Sequence, residues 1–268
     1  MTAVRATPAG PAAGRVAVVG GGARGIGAAL VRMLVASGHT VEVLDAVDGD
    51  TLGYPHAAAA DVAVLEGDGV RCHAVDLRDA DATRAAVDDV AARHGRLDVA
   101  ASTASVIVGG TPLWETPPEV RDALLAADAA TAWNLAAAAV PHLLHRPAHD
   151  RPTVAVLTSV AGERGLYGLS AYVVAKHAAV GVVRALAADL VGTAVTAVGV
   201  APGATDTRML RATADLYGLD DVAPLAEDQQ GRTPMTPDEV AAVALHACTA
   251  GRVLHGSVLA ADGGFGRV

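Results

Sequence analysis

The chain has 268 residues, a formal net charge of −9, and a composition that is 52% hydrophobic but only 3% aromatic. Its Lys and Arg residues form no block, so no basic face is offered to a phosphodiester backbone or an anionic membrane, and nucleic acid is excluded as an expected partner. The length suits one α/β domain, and a core built mainly from Ala and Val requires helices to approach the sheet closely.

Residues 1–14 (MTAVRATPAGPAAG) read as a flexible tail ahead of a domain spanning 15–268. The tail has no apolar core of signal-peptide length, and later apolar stretches are interrupted before they reach a membrane span, so a soluble, cytoplasmic protein with no membrane partner is expected. Strands are predicted at 15–19, 40–44, 70–75, 97–101, 153–157, 194–200 and 257–260, with helical patterns between them that begin near Gly25 and Asp81. This alternation predicts a single Rossmann-like, doubly wound α/β domain of about seven parallel strands with helices on both faces and ligands at the carboxyl ends of the strands. The 46–68 connection is long, and its 57–65 part has the pattern of an extra helix. Thr116-Pro117-Pro118-Glu119 and Thr236-Pro237-Asp238-Glu239 each read as Thr N-cap, Pro at the first helical position, and Glu completing a capping box. Cys72 and Cys248 are isolated and read as buried free thiols. His142 and His145 lack a third ligand, so no metal site is expected.

The segment Gly20-Gly21-Gly22-Ala23-Arg24-Gly25-Ile26-Gly27 follows the first strand and opens a helix. Glycines there permit a tight turn and close backbone approach to a pyrophosphate, while the helix N-terminus supplies a positive dipole end. Asp45, at the end of the second strand, can accept hydrogen bonds from both hydroxyls of an adenosine ribose and repels a 2′-phosphate, which predicts NAD rather than NADP. Asp76-Leu77 after the third strand is placed for an adenine contact.

Tyr172 and Lys176 are an i, i+4 pair on one helical face, so their side chains can meet. A neighbouring ammonium favours the phenolate of a tyrosine, and Ser159 at a strand end can hold a substrate oxygen. With these residues in order, the run from Gly20 to Gly264 resembles the short-chain dehydrogenase/reductase family. Its glycine motif falls on Gly21, Gly25 and Gly27, and its active-site residues on Ser159, Tyr172 and Lys176. Pro202-Gly203 with Thr207 resembles the segment that closes over nicotinamide, and Asp262-Gly263-Gly264 the C-terminal signature.

The resemblance implies an NAD-dependent oxidoreductase that moves hydride between nicotinamide and a secondary alcohol or ketone. In it Tyr172 exchanges the proton, Ser159 holds the oxygen, and Lys176 lowers the tyrosine pKa and binds ribose. It also implies cofactor contacts from Arg24, Ile26, Thr103, Ala104 and Thr205, no metal, and a homo-oligomer, by family a tetramer. The chain departs from the family at Gly20, where Thr is usual, and at Ser102-Thr103-Ala104-Ser105, where Asn-Asn-Ala-Gly is usual. The relay Asn falls on Asp128 when counted back from Pro141, with Asn134 as the alternative. Tyr167 is placed to line the substrate pocket, Trp114 and Trp133 either line it or pack elsewhere, and 206–233 is expected to form a lid, apolar through Met209, Leu210, Leu216 and Leu219.

The insertion at Leu52-Gly53-Tyr54-Pro55-His56, with Pro112-Leu113-Trp114-Glu115-Thr116 and Leu216-Tyr217-Gly218-Leu219, resembles mycofactocin-coupled members, which implies tightly held NAD and a peptide-derived redox carrier as electron partner. Two other readings stay open: a 3-oxoacyl reductase, and a dinucleotide-sensing binding protein without chemistry.

Overall fold

The computed structural model describes residues 14–265, so the tail predicted at 1–14 lies, Gly14 apart, outside the described residues. Seven parallel strands form the main sheet: β1 (Arg15–Gly20), β2 (His39–Asp45), β3 (Val70–Ala74), β4 (Val99–Ser102), β5 (Thr153–Leu157), β6 (Thr196–Pro202) and β7 (Val258–Ala261). Their spatial order is β3-β2-β1-β4-β5-β6-β7. The predicted strands agree with these to within two residues at each end. The order reverses between β1 and β4, which opens a crevice at their carboxyl ends.

The helices are α1 (Gly25–Ala36), α2 (Ala59–Leu65), α3 (Ala80–His94), α4 (Pro118–Leu124), α5 (Thr131–Leu143), α6 (Ser170–Asp189), α7 (Arg208–Leu216) and α8 (Pro237–Ala250). Alternate residues of a strand serve opposite faces. In β1, Ala17 and Val19 pack with Leu30 and Leu34 of α1 and with Val240 and Ala244 of α8. Val16 and Val18 point to the other side, among Val87 of α3, Leu135 and Ala139 of α5, and Val183 of α6. Ala and Val at most of these contacts let both helical layers sit close to the sheet. A third apolar cluster lies above the carboxyl ends of the strands, where Tyr54, Ile107, Leu124, Leu169 and Tyr172 meet Met209, Leu216 and Tyr217 of the 206–233 segment.

The extra helix predicted at 57–65 is present as α2, preceded by a small hairpin, Asp50–Thr51 with Tyr54–Pro55. The capping box at Thr236 is also present, with Thr236 Oγ1 accepting from the Glu239 amide at 3.2 Å and Glu239 Oε2 accepting from the Thr236 amide at 2.7 Å. The cap predicted at Thr116 is corrected by one residue. Helix α4 starts at Pro118 behind an extended Pro117 (φ −61°, ψ 143°) that offers no side-chain cap. A residue preceding proline is held out of the helical region, so Pro118 forbids the start that Pro117 would otherwise make. Thr116 instead closes the preceding turn, its Oγ1 donating to the Pro112 carbonyl at 3.1 Å.

The sequence expectation that apolar stretches fall short of a membrane span is also corrected, since Pro118–Leu143 and Ser170–Asp189 reach that length and apolarity. Each buries about half of its most apolar window against the rest of the protein, as core helices do. The first of them is interrupted by a single π turn, Leu125–Ala130, which carries Asp128. Thr131 Oγ1 donates to the carbonyls of Ala127 (2.8 Å) and Asp128 (3.1 Å) and so satisfies acceptors in the widened turn.

Candidate active site

The site begins where β1 ends. Gly21 has φ +74°, and a side chain there would place its Cβ 2.3 Å from the Ala104 amide nitrogen. A Cβ on Gly27 would lie 2.4 Å from the Gly21 carbonyl oxygen and 2.5 Å from Thr103 Oγ1. Only glycine permits these approaches. Thr103 cinches the loop from the neighbouring strand end: its amide donates to the Gly20 carbonyl at 2.7 Å, and its hydroxyl reaches the carbonyls of Gly20 and Gly21, each at 2.9 Å. Helix α1 then begins behind Arg24 with no side-chain cap and no acidic residue in its first turn, leaving its amides and dipole directed at the crevice.

The departure at Gly20 falls at a crowded position. A Cβ there would lie 2.7 Å from Leu77 Cδ1 and 3.1 Å from Leu135 Cδ2. Leu77 therefore lines the crevice and belongs to the core beneath it.

Asp45 stands at the end of β2, with Oδ2 accepting from the Ala23 amide at 2.9 Å. Burial pushes its carboxyl above the usual range, opposed by the Ala23 amide and the Arg24 charge. Asp76 is held by Arg78 at 2.7 Å, and the same guanidinium donates to Thr51 Oγ1 at 3.2 Å. The side-chain bonds from Arg78 hold Asp76 below the ordinary carboxylate range despite its partial burial.

At the opposite end, Ser159 follows β5 and accepts from the Ala161 amide at 3.1 Å. Tyr172, the third residue of α6, shares the cavity wall with Ser159 and Ser105. Burial pushes the Tyr172 phenol upward, the Lys176 charge draws it back, and the Asp128 charge adds to the rise. Lys176 Nζ lies 5.5 Å from the Tyr172 ring centroid and 3.0 Å from Asp128 Oδ1. A buried carboxylate and ammonium so close compensate charges that neither could keep alone.

These pieces line one cavity of about 810 Å³. Its walls include Gly21, Arg24, Gly25, Ile26, Gly27, Asp45, Asp76, Leu77, Thr103 and Ala104 at one end, and Ser159, Tyr167, Tyr172, Lys176, Pro202, Gly203, Thr205 and Thr207 at the other. Every cofactor and substrate position named from the sequence is therefore on the same cavity. Asp128 sits behind its wall, against Lys176. Asn134 does not reach this group: its Nδ2 donates to the Leu77 carbonyl at 2.9 Å, which excludes it from the relay position.

Tyr167 is 80% exposed at the rim, while Trp114 and Trp133 are exposed and line no part of the cavity. Cys248 is buried, but Cys72 is only half-buried, short of the expectation for it. His142 pairs with Asp88 at 2.6 Å.

Several contributors escape the sequence. Ser105 faces Tyr172 and Asp128. Tyr54, from the hairpin, sits 5.1 Å beneath the Arg24 guanidinium. The Tyr172 hydroxyl donates to Met209 Sδ of α7 at 3.9 Å. Arg208 of α7 makes two 3.0 Å bonds to Asp61 of α2, and Arg24 donates to the His56 carbonyl at 3.1 Å. The first contact ties the 46–68 insertion to α7, and the second ties it to the glycine turn.

A doubly wound sheet, a glycine turn at its crevice, and a Ser, Tyr and Lys on one cavity define a dinucleotide-dependent class of α/β enzyme. The comparisons agree: residues 15–217 match the family model described as short chain dehydrogenase, and the chain belongs to that family. It is 36% identical over 221 residues to a 1-deoxy-11-beta-hydroxypentalenate dehydrogenase of Streptomyces exfoliatus, covering 81% of this chain and 77% of the relative. It is 33% identical over 187 residues to a (-)-trans-carveol dehydrogenase of Rhodococcus erythropolis, covering 66% of each. The crystal structure of carveol dehydrogenase from Mycobacterium avium in complex with NAD superposes with a TM-score of 0.87 at 26% identity, over 95% of this chain and 98% of that one.

The crowding around Gly27 yields a direct expectation. Gly27→Ala should weaken dinucleotide binding by about tenfold or more, because the added methyl displaces the Gly21 carbonyl or the Thr103 clasp. Calorimetric titration measures this, and affinity equal to wild type would show that the turn is not pressed against the ligand.

Proposed function

We propose that this enzyme is an NAD-dependent alcohol dehydrogenase or ketoreductase acting on a compact, largely apolar secondary alcohol. The observation that carries the reading is the convergence of Ser159, Tyr172 and Lys176 at the far end of a cavity that starts at the glycine turn and Asp45. The residues fit NAD: the turn leaves no side chain where a pyrophosphate would lie, and Asp45 supplies a carboxylate at the ribose end whose charge disfavours a 2′-phosphate. That preference speaks against the NADPH-linked 3-oxoacyl reductase reading. A dinucleotide sensor has no use for the three catalytic side chains together.

NAD, when bound, supplies the hydride acceptor or donor. In the oxidative direction the Tyr172 phenolate takes the alcohol proton while Ser159 donates to the substrate oxygen. Lys176 stabilises the phenolate and holds the nicotinamide ribose. Val106, Ile107, Leu166, Leu169 and Met209 surround the space beside Tyr172, and apolar walls of this kind select a hydrocarbon body around the reacting carbon. Two of the relatives are named for 1-deoxy-11-beta-hydroxypentalenate and (-)-trans-carveol as substrates, in keeping with that selection.

We also propose that NAD is retained between turnovers and reoxidised in place by a mycofactocin-type carrier. The support is a pair of ties on the insertion, Arg208 to Asp61 from the 206–233 segment and Arg24 to His56 from the glycine turn. Trp133 and Val174, exposed on α5 and α6, support assembly into a homo-oligomer through those helices, a tetramer by family resemblance.

Three measurements test this. Tyr172→Phe should lower turnover by about two orders of magnitude or more with NAD affinity within twofold of wild type, since only the proton-transferring hydroxyl is lost; near-normal turnover would place the acid/base elsewhere. Labelled NAD added to purified protein should exchange slowly, and more than tenfold faster in Arg208→Ala. A single turnover on the bound cofactor should then precede steady turnover only when an artificial electron carrier is added. Fast exchange in the wild type with full activity on free NAD would reject retention and leave a conventional dehydrogenase.

A further inference from the structure

The Asp128–Lys176 pair changes the charge of the reactive group. Asp128 and Lys176 are each 2% exposed, and Tyr172 and Ser159 are each 8% exposed, so all four sit where water screens little. The π turn aims Asp128 inward, and its Oδ1 lies 3.0 Å from Lys176 Nζ. The charged groups facing Tyr172 are Lys176 from its own helix and Asp128 from the π turn; Ser159 and Ser105 contribute neutral hydroxyls from the β5 and β4 ends. From the insertion, the Tyr54 phenol is within electrostatic reach, with Arg24 and Arg208 beyond it.

Counting charge over Asp128, Lys176 and Tyr172 gives zero when the phenol is protonated. Loss of one proton then creates a net negative charge in a buried site. With a neutral residue at position 128 the same group starts at +1, and loss of a proton brings it to zero. Burial disfavours the first change and favours the second, whichever of the two basic groups gives up the proton.

Resting on the dehydrogenase reading above, we infer that Asp128 is a positioning residue that neutralises Lys176 and thereby keeps Tyr172 in its phenol form to higher pH. The proton donor that ketone reduction needs is then present throughout the neutral range. Alcohol oxidation gains its base only toward the alkaline side, where the phenolate forms, takes the hydroxyl proton as hydride leaves the carbinol carbon for the nicotinamide, and returns that proton to solvent.

The test compares wild type with Asp128→Asn and Asp128→Glu, and with Asp128→Ser should the amide fail to fold. In the neutral variants the rising limb of kcat/KM for alcohol oxidation should move to lower pH by roughly 1–3 units, the range for removing one nearby charge from a buried group; Asp128→Glu should hold it near wild type. The chain has four tyrosines, so ultraviolet absorbance can follow each phenolate. Without cofactor, the neutral variants should show one tyrosinate forming at lower pH than in wild type, abolished by adding Tyr172→Phe. A limb and a tyrosinate midpoint that both stay at the wild-type pH in a folded neutral variant would overturn the inference, as would a shift upward. If Tyr172→Phe alone retains turnover, it is the dehydrogenase reading that fails; if that variant is inactive and the Asp128 variants do not shift, only this inference fails.

Discussion

At the end of β1 the backbone meets the end of β4 with no room for a side chain, and the rest of the site depends on that contact. The Gly21 turn presses on Ala104, and Thr103 binds the carbonyls on either side of it. The turn fixes the start of α1, and with it the direction of an uncapped helix end. It also sets the crevice width between β1 and β4, from which Asp45 opens on one side and Ser105 and Ser159 on the other. The small residues of the two cores belong to the same constraint, because a sheet covered closely on both faces leaves only the strand ends free to bind anything.

The chemistry at the far end depends on a second buried arrangement. An α-helix continued without interruption through 125–130 would turn Asp128 to a different angle; the π turn directs it at Lys176. The apolar cluster around Tyr172 joins α4, α6, α7 and the insertion, so residues from four elements surround the phenol. Met209 of α7 packs against that cluster and accepts the Tyr172 hydroxyl.

Much of this was legible in the sequence, and the reason is locality. Strand periodicity, the strand–glycine–helix order, and the i, i+4 spacing of Tyr172 and Lys176 each involve neighbours in the chain, and the strands and the cavity appear where those patterns put them. The Thr116 cap failed by one residue because two successive prolines compete for the same turn. What could not be read depends on distant partners. Gly20 lies against the Leu77 and Leu135 side chains, which come from distant elements. Asp61 meets Arg208 across 147 residues, and no spacing rule announces that pair. Asp128 could be counted to its position from Pro141, but whether it faced Lys176 depended on a π turn that composition does not reveal.

The most direct test of the account is a crystal structure of the protein with NAD. The account predicts the pyrophosphate at the start of α1, the adenosine ribose hydroxyls on the Asp45 carboxylate, and the nicotinamide beside Tyr172 with its ribose on Lys176. A dinucleotide whose ribose turns away from Asp45, or whose nicotinamide lies outside the space bounded by Ser159 and Tyr172, would contradict it.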